Sequence, residues 1–547
     1  MSLRHGGQIL VDQLRIQGVE RVFCIPGESF LAALDGLYDS GIGTIVCRQE
    51  GGVAMMADAT ARLTGKPGVA FVTRGPGATN ASAGVHIAFQ DSVPMVLFIG
   101  QVASDQKDRE AFQEVDYRQM FGPLAKWVAE IETTERIPEY VSHAFHVANS
   151  GRPGPVVLAL PEDMLSAMAD VPDIPAATVV KNALSTEAAS QIRDALQASE
   201  RPLIIAGGGG WSAQAAENLG VFSTALGVPI ATSFRCQDYV DNMHPNYVGD
   251  VGIGINPTLS DYIKNSDCLL VIGSRLGEMT TSGYSLLDIP QPQQKLIHTY
   301  PDASELGRVY RPDMAFVSGS AEAVAQLVSV TSDVQFTSKL DVTEKLAASY
   351  HAWQKPEETP GDLKLEQVFS HLREVLPADT IISNGAGNYA GWLHRYYRFR
   401  QYRTQLAPTS GSMGFGLPAS VAAKLQHPER TVICYAGDGD FQMHCQEFGT
   451  ACQYGADIIV LISNNGLYGT IRMHQEKHYP GRVSGTWMVN PDFAKWAESY
   501  GGYGETVTKD ADFPAAFERA RHAGKPAILN LMIDPHAIAT RMVLKEV

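Results

Sequence analysis

The chain has 547 residues, 45% of them hydrophobic and 19% charged, with a formal net charge of −16. That composition is globular, and the length suggests three domains of ordinary size. The negative charge argues against nucleic acid or an anionic membrane as partner, and no apolar run reaches membrane-spanning length.

The opening stretch, MSLRHGGQILVDQLRIQG, reads as an amphipathic helix and not as a signal peptide. Seven scattered cysteines without a CxxC read as reduced residues of a cytoplasmic protein. From there residues 1–170 alternate strand and helix. Strands are expected at 21–25, 43–47, 68–73 and 95–99. Helices are expected at 7–17, 30–38 and 53–64, with another after the glycine turn at 75–80. Such alternation predicts a doubly wound parallel sheet. Glu50 follows an apolar strand, among small and apolar neighbours, just ahead of a helix.

Residues 171–184, rich in Ala, Pro and Val, read as a linker. Residues 185–330 form a second α/β unit, with a helix at 186–198, strands at 203–206 and 268–272, and a glycine run at 207–210. That run lacks the full dinucleotide fingerprint. Residues 331–362, polar with Lys, Glu and Pro, read as a second linker.

Residues 363–547 form the third unit, so the expected fold class is α/β, with three doubly wound parallel-sheet domains. Its centre is a βαβ pattern. A strand at 431–436 runs into Gly437-Asp438-Gly439. A helical run follows, with Phe441, Phe448 and Ala451 on one side. A second strand at 457–463 ends on Asn464-Asn465. Parallel strands bring both ends to one sheet edge, where open α/β folds bind ligands. Asp438, Asn465 and a nearby carbonyl are hard oxygen donors. They suit Mg²⁺ that also holds phosphate oxygens. Gly437 and Gly439 let the backbone approach a diphosphate. Read alone, a GDG or an NN is a tight turn; the pairing across one unit carries the reading.

That pairing resembles the thiamine diphosphate motif, GDG followed by NN. Residues 48–114 are in turn similar to the acetohydroxyacid (acetolactate) synthase branch of that enzyme family. The matching pieces are Glu50, GKPGV at 65–69, GPGATN at 75–80, Gly100-Gln101-Val102 and AFQE at 111–114. GRPGPV at 151–156 and Pro161-Glu162-Asp163 continue the match. The resemblance implies a pyrimidine-binding domain at 1–170, a central domain at 185–330 and a diphosphate-binding domain at 363–547. Asp438 and Asn465 would bind Mg²⁺ through side chains, and Leu467 through its carbonyl. Glu50 would hydrogen-bond the aminopyrimidine, favouring the tautomer that takes the proton from thiazolium C2. Pro76 and Asn80 would flank the pyrimidine, and Gln101, Phe112 and Gln113 would face the reacting carbon. The Gly411 carbonyl would accept from the 4′-amino group, and Met413 would lie beneath the cofactor. Ala386, Gly387, Asn388, Gly437, Gly439 and Asp440 would line the diphosphate, although Asp440 also reads as a helix cap.

The implied activity is decarboxylation of a 2-oxoacid with ligation to a second carbonyl, an aldehyde or another 2-oxoacid. A homodimer or homotetramer would build its active sites between subunits. Three departures favour other members of the family, a 2-oxoacid decarboxylase or an acyl-transferring lyase. His474 stands where synthases carry tryptophan. Glu28-Ser29 replaces Gly-Ala near the substrate. Arg275-Leu276-Gly277-Glu278-Met279 replaces the Arg-Phe-Asp-Asp-Arg run of flavin-containing synthases, which counts against FAD in the central domain. A non-catalytic homologue is a third reading, opposed by the intact Glu50, Asp438 and Asn465.

Overall fold

Three six-stranded sheets, built only of parallel neighbours, account for most of the apolar runs. The computed structural model describes residues 3–331 and 340–546. Among the described residues no helix is long and apolar enough to cross a membrane. The chain divides into two compact units. The first is Met1–Val180 with residues 417–428 and 444–456; the second is the remainder.

In the first unit the strands are β1 (Arg21–Cys24), β2 (Gly43–Val46), β3 (Gly68–Val72), β4 (Met95–Gln101), β5 (Trp127–Glu130) and β6 (Pro155–Pro161). They lie in the order β2-β1-β3-β4-β6-β5. β3, β4 and β6 are buried along their whole length, as parallel strands covered on both faces must be, so they read as unbroken apolar runs. Helices α1 (Gly6–Ile16), α2 (Leu31–Tyr38), α3 (Glu50–Thr64) and α4 (Pro76–Asp91) connect them. α3 starts three residues before its expected beginning, because the Gln49 side chain caps it by accepting from the N–H groups of Gly51 and Gly52. Glu50 is therefore the first helical residue.

In the second unit, after α5 (Thr186–Ala198), the central sheet holds β7 (Pro202–Ala206), β8 (Ile230–Thr232), β9 (Tyr247–Asp250), β10 (Cys268–Ile272), β11 (Lys295–Tyr300) and β12 (Met314–Val317). The order β9-β8-β7-β10-β11-β12 is the dinucleotide-fold order, with its crevice between β7 and β10. The expected linker at 331–362 needs correction. Its residues 332–339 lie outside the described residues, but α6 (Leu340–Trp353) is a helix. Leu346, Ala347 and Tyr350 are buried at helical spacing, an apolar face hidden by the polar average of the stretch.

The third sheet holds β13 (Ile381–Asn384), β14 (Gln405–Leu406), β15 (Val432–Gly437), β16 (Ile459–Asn464), β17 (Tyr503–Val507) and β18 (Ala527–Met532). Its order, β14-β13-β15-β16-β18-β17, repeats that of the first sheet strand for strand. The helical run after β15 is two pieces, α7 (Asp438–Phe441) and α8 (Glu447–Tyr454). Turns bonding Glu447, Phe448 and Gly449 to carbonyls three residues back separate them. α8 belongs to the first unit.

Candidate active site

β15 and β16 are neighbours, with Gly437 in register with Ser463, so Asp438 and Asn465 emerge side by side. Asp438 is 2% exposed. Its Oδ2 accepts from the N–H groups of Asn465 (3.2 Å) and Gly466 (2.7 Å) and from the Asn490 amide (2.7 Å). Its Oδ1 accepts from Gly439 N–H at 2.9 Å. Burial pushes the carboxyl above the usual aspartate range, and these donors pull it back. Asn465 Oδ1 accepts from Leu467 N–H at 3.0 Å, which fixes the turn carrying the Leu467 carbonyl. A buried carboxylate held only by N–H donors, beside an amide oxygen, is a hard-oxygen set that fits Mg²⁺. The glycines on either side of it make room for rings of this same chain. A Cβ at Gly437 would meet the Tyr389 ring at 2.8 Å, and one at Gly439 the Tyr468 ring at 2.9 Å.

Two further turns border this one. Ala386 and Gly414 donate their N–H groups to Asp440 Oδ1, at 3.1 and 2.8 Å. Gly414 follows Met413, which is half-buried, and Gly411 has a φ of +71° that favours glycine. Asn388 donates its N–H to Thr470 Oγ1 (2.9 Å), tying its turn to α9 (Gly469–His478). His474 is exposed on α9, its ring 6.1 Å from that of His478.

The first unit holds the other expected residues. Asn80 on α4 donates its amide to Glu50 Oε2 at 3.0 Å. A Cβ at Gly77 would lie 3.3 Å from Glu50 Oε1, so Pro76-Gly77 passes close under the carboxylate. The turn before Glu50 is held by a residue that the sequence did not single out. Glu447 of α8 is fully buried and accepts from the N–H groups of Arg48 (3.0 Å) and Gln49 (2.9 Å) and from the Thr450 hydroxyl (2.6 Å). His444 Nε2 lies 3.2 Å from Gln49 Oε1. Gln101 is buried, its amide donating to the Val115 carbonyl at 3.0 Å. Phe112 is 72% exposed, with its carbonyl accepting from Arg74 Nε at 3.1 Å. Gln113 has a φ of +65° and crowds Gly75, where a Cβ would come within 2.8 Å of its own. Arg74, itself buried, also bridges to Glu162 at 3.2 Å and to the exposed Glu28 at 3.8 Å.

Asn490 and Glu447 are the partners that sequence reading missed. Each meets its site residue from far along the chain, and neither lies in a motif with a recognisable spacing.

Comparison with known proteins identifies the family. Residues 4–120 match the thiamine pyrophosphate enzyme N-terminal TPP binding domain, 189–327 the central domain, and 385–531 the C-terminal TPP binding domain. The chain is thus a thiamine-diphosphate-dependent enzyme (the pyrophosphate and diphosphate names denote one cofactor). It is 32% identical to the acetolactate synthase large subunit of Haemophilus influenzae, over 95% of this chain and 92% of that protein. It is 31% identical to the acetolactate synthase isozyme 2 large subunit of Escherichia coli, over 97% of this chain and 96% of that protein. A probable acetolactate synthase large subunit of Methanocaldococcus jannaschii is 31% identical over 97% and 92%. The chain belongs to the thiamine pyrophosphate enzyme family that includes these large subunits.

Proposed function

We propose that this enzyme decarboxylates a 2-oxoacid and joins the retained fragment to a second carbonyl compound, in the manner of acetolactate synthases. The likeness to their large subunits, spread over nearly the whole chain, carries the reading. Bound thiamine diphosphate supplies a carbon nucleophile and an electron sink for the decarboxylation. Asp438, Asn465 and the Leu467 carbonyl would hold Mg²⁺ at the diphosphate end. Glu50 would hydrogen-bond the pyrimidine end and favour the tautomer that can take a proton, and the Asn80 amide and the Glu447-bound turn aim its carboxylate. Pro76, Gly411 and Met413 border the same cofactor. Gln101, Phe112 and Gln113 face the substrate, with Arg74 fixing the turn that carries the last two. The active form is a cytoplasmic homodimer or homotetramer in which Glu50 of one chain serves the metal end of its partner.

One observation favours a second reading, a decarboxylase or acyl-transferring lyase of the same family. Glu28 offers an exposed carboxylate near the substrate edge, only loosely paired with the Arg74 guanidinium at 3.8 Å, and this would repel an acidic acceptor. Product analysis with pyruvate, alone and with aldehydes, separates the two. Acetolactate from pyruvate alone supports ligation between 2-oxoacids; free aldehyde or ligation only to neutral aldehydes supports the second reading.

The central domain holds no flavin in this reading. At its crevice the Trp211 indole donates to the Gly207 carbonyl (2.9 Å), the Tyr239 hydroxyl to Gly208 (2.5 Å) and the Ser320 hydroxyl to Gly209 (2.9 Å). Trp211 is 4% exposed, with its ring centroid 5.4 Å from that of Tyr239. These bonds take up the carbonyls of the turn, and the reading rests mainly on the Arg275-Leu276-Gly277-Glu278-Met279 run that stands in place of the flavin motif.

A further inference from the structure

We propose that Tyr389 is a positioning residue for the diphosphate end of the cofactor and acts through Asp440. This rests on the reading that these turns hold thiamine diphosphate. Asp440 is 3% exposed, two residues beyond Asp438. Its carboxylate gathers three donors from two other stretches of chain. Tyr389 Oη donates to Oδ2 at 2.8 Å, while the N–H groups of Ala386 and Gly414 converge on Oδ1. Tyr389 Oη also accepts from Gly385 N–H at 3.1 Å. One hydroxyl and one carboxylate therefore fasten three turns together: 385–389, the turn beside Met413, and the metal turn itself.

The surrounding glycines are shaped to this pair. A Cβ on Gly385 would overlap the Asp440 carboxylate, and one on Gly387 or Gly437 would come within 2.8 Å of the Tyr389 ring. The ring also meets Tyr435 edge-on, with centroids 5.0 Å apart. A carboxylate turned toward a diphosphate would repel it. Here its oxygens face a hydroxyl and two backbone N–H groups, and its effect on the cofactor is the spacing of the turns that do the holding. A buried hydrogen bond to a charged group is among the stronger ones, so removing the hydroxyl alone should be measurable.

The test compares Tyr389→Phe with Tyr435→Phe in the full-length protein. Tyr435 loses a buried hydroxyl bonded to Ser463 at 2.9 Å and touches none of the three turns through it. Two readouts are taken. Hydrogen exchange of the cofactor-free protein is followed in peptides covering 385–390 and 411–416. Thiamine diphosphate binding with Mg²⁺ is followed by calorimetry. Tyr389→Phe is expected to exchange faster in both peptides and to bind thiamine diphosphate at least tenfold more weakly. Tyr435→Phe is expected to change neither. Wild-type affinity in Tyr389→Phe would overturn the proposal, whether or not exchange changed, and would leave the family reading standing. Failure of the wild-type protein to bind thiamine diphosphate would instead overturn the family reading. If Tyr389→Phe does not fold, Asp440→Asn tests the same link, with weaker binding and faster exchange at 411–416 expected and wild-type behaviour in both overturning it.

Discussion

The Glu447 carboxylate accepts the backbone N–H of Gln49 at 2.9 Å, one residue ahead of Glu50. A buried acid is here the anchor for the turn that aims the candidate proton-relay acid. Glu447→Ala would leave the N–H groups of Arg48 and Gln49 and the Thr450 hydroxyl without this acceptor. Each such buried group costs about 1–3 kcal/mol. A clear fall in thermal midpoint is expected, with Glu447→Gln falling less because it keeps one acceptor oxygen. An unchanged midpoint in Glu447→Ala would refute the anchoring role.

Glu50→Gln keeps the size of the side chain and an oxygen for the Asn80 amide. Thiamine diphosphate affinity should change little. Exchange of the C2 proton of the bound cofactor, followed by quenched NMR, should slow by at least a hundredfold, the low end for a positioned acid or base. Exchange at the wild-type rate would remove Glu50 from its role.

Asp438→Ala removes the only carboxylate among the candidate metal donors and also frees the N–H groups of Asn465 and Gly466. Calorimetry should then detect no Mg²⁺-dependent binding of thiamine diphosphate. Retained binding would place the metal elsewhere.

Asp238 gives a pH prediction independent of the cofactor. It is 3% exposed and accepts from the N–H groups of Thr404 (3.0 Å) and Gln405 (3.2 Å). Burial pushes its carboxyl up to about 6, against the pull of those donors. A folded value above the unfolded one means that the native state holds a proton between about pH 4 and 6 that the unfolded chain has released. Stability from this group is therefore highest below that window and falls as pH rises through it, by about 3 kcal/mol. Asp238→Asn should gain on the wild type in thermal midpoint between pH 4.5 and 7. A difference that is flat with pH would contradict the assignment.

The Arg275-Leu276-Gly277-Glu278-Met279 run, which replaces the flavin motif, predicts a colourless purified protein with no visible flavin absorption. Added FAD should neither bind nor change activity. A yellow protein that loses activity on flavin removal would reverse that reading.

The strands were readable because buried parallel strands carry continuous apolar runs, and Cys268–Ile272 and the strands around Asp438 show this. The edge on which Asp438 and Asn465 meet follows from the βαβ pattern alone. The helix Leu340–Trp353 was hidden because its buried apolar positions, Leu346, Ala347 and Tyr350, are diluted by charged and polar neighbours. The break between Phe441 and Glu447 has no Pro or Gly to announce it. Tyr389, Thr470, Asn490 and Glu447 act on residues distant in sequence, and side-chain bonds of that kind have no local signature.

The first unit borrows residues 417–428 and 444–456 from the far end of the gene product. A cut at residue 180 therefore cannot yield two self-sufficient halves. The leading fragment would keep Arg48 and Gln49 but forfeit Glu447, leaving its glutamate turn without a clasp. The 1–180 fragment expressed alone should accordingly fail to fold, and co-expression with the remainder should restore it.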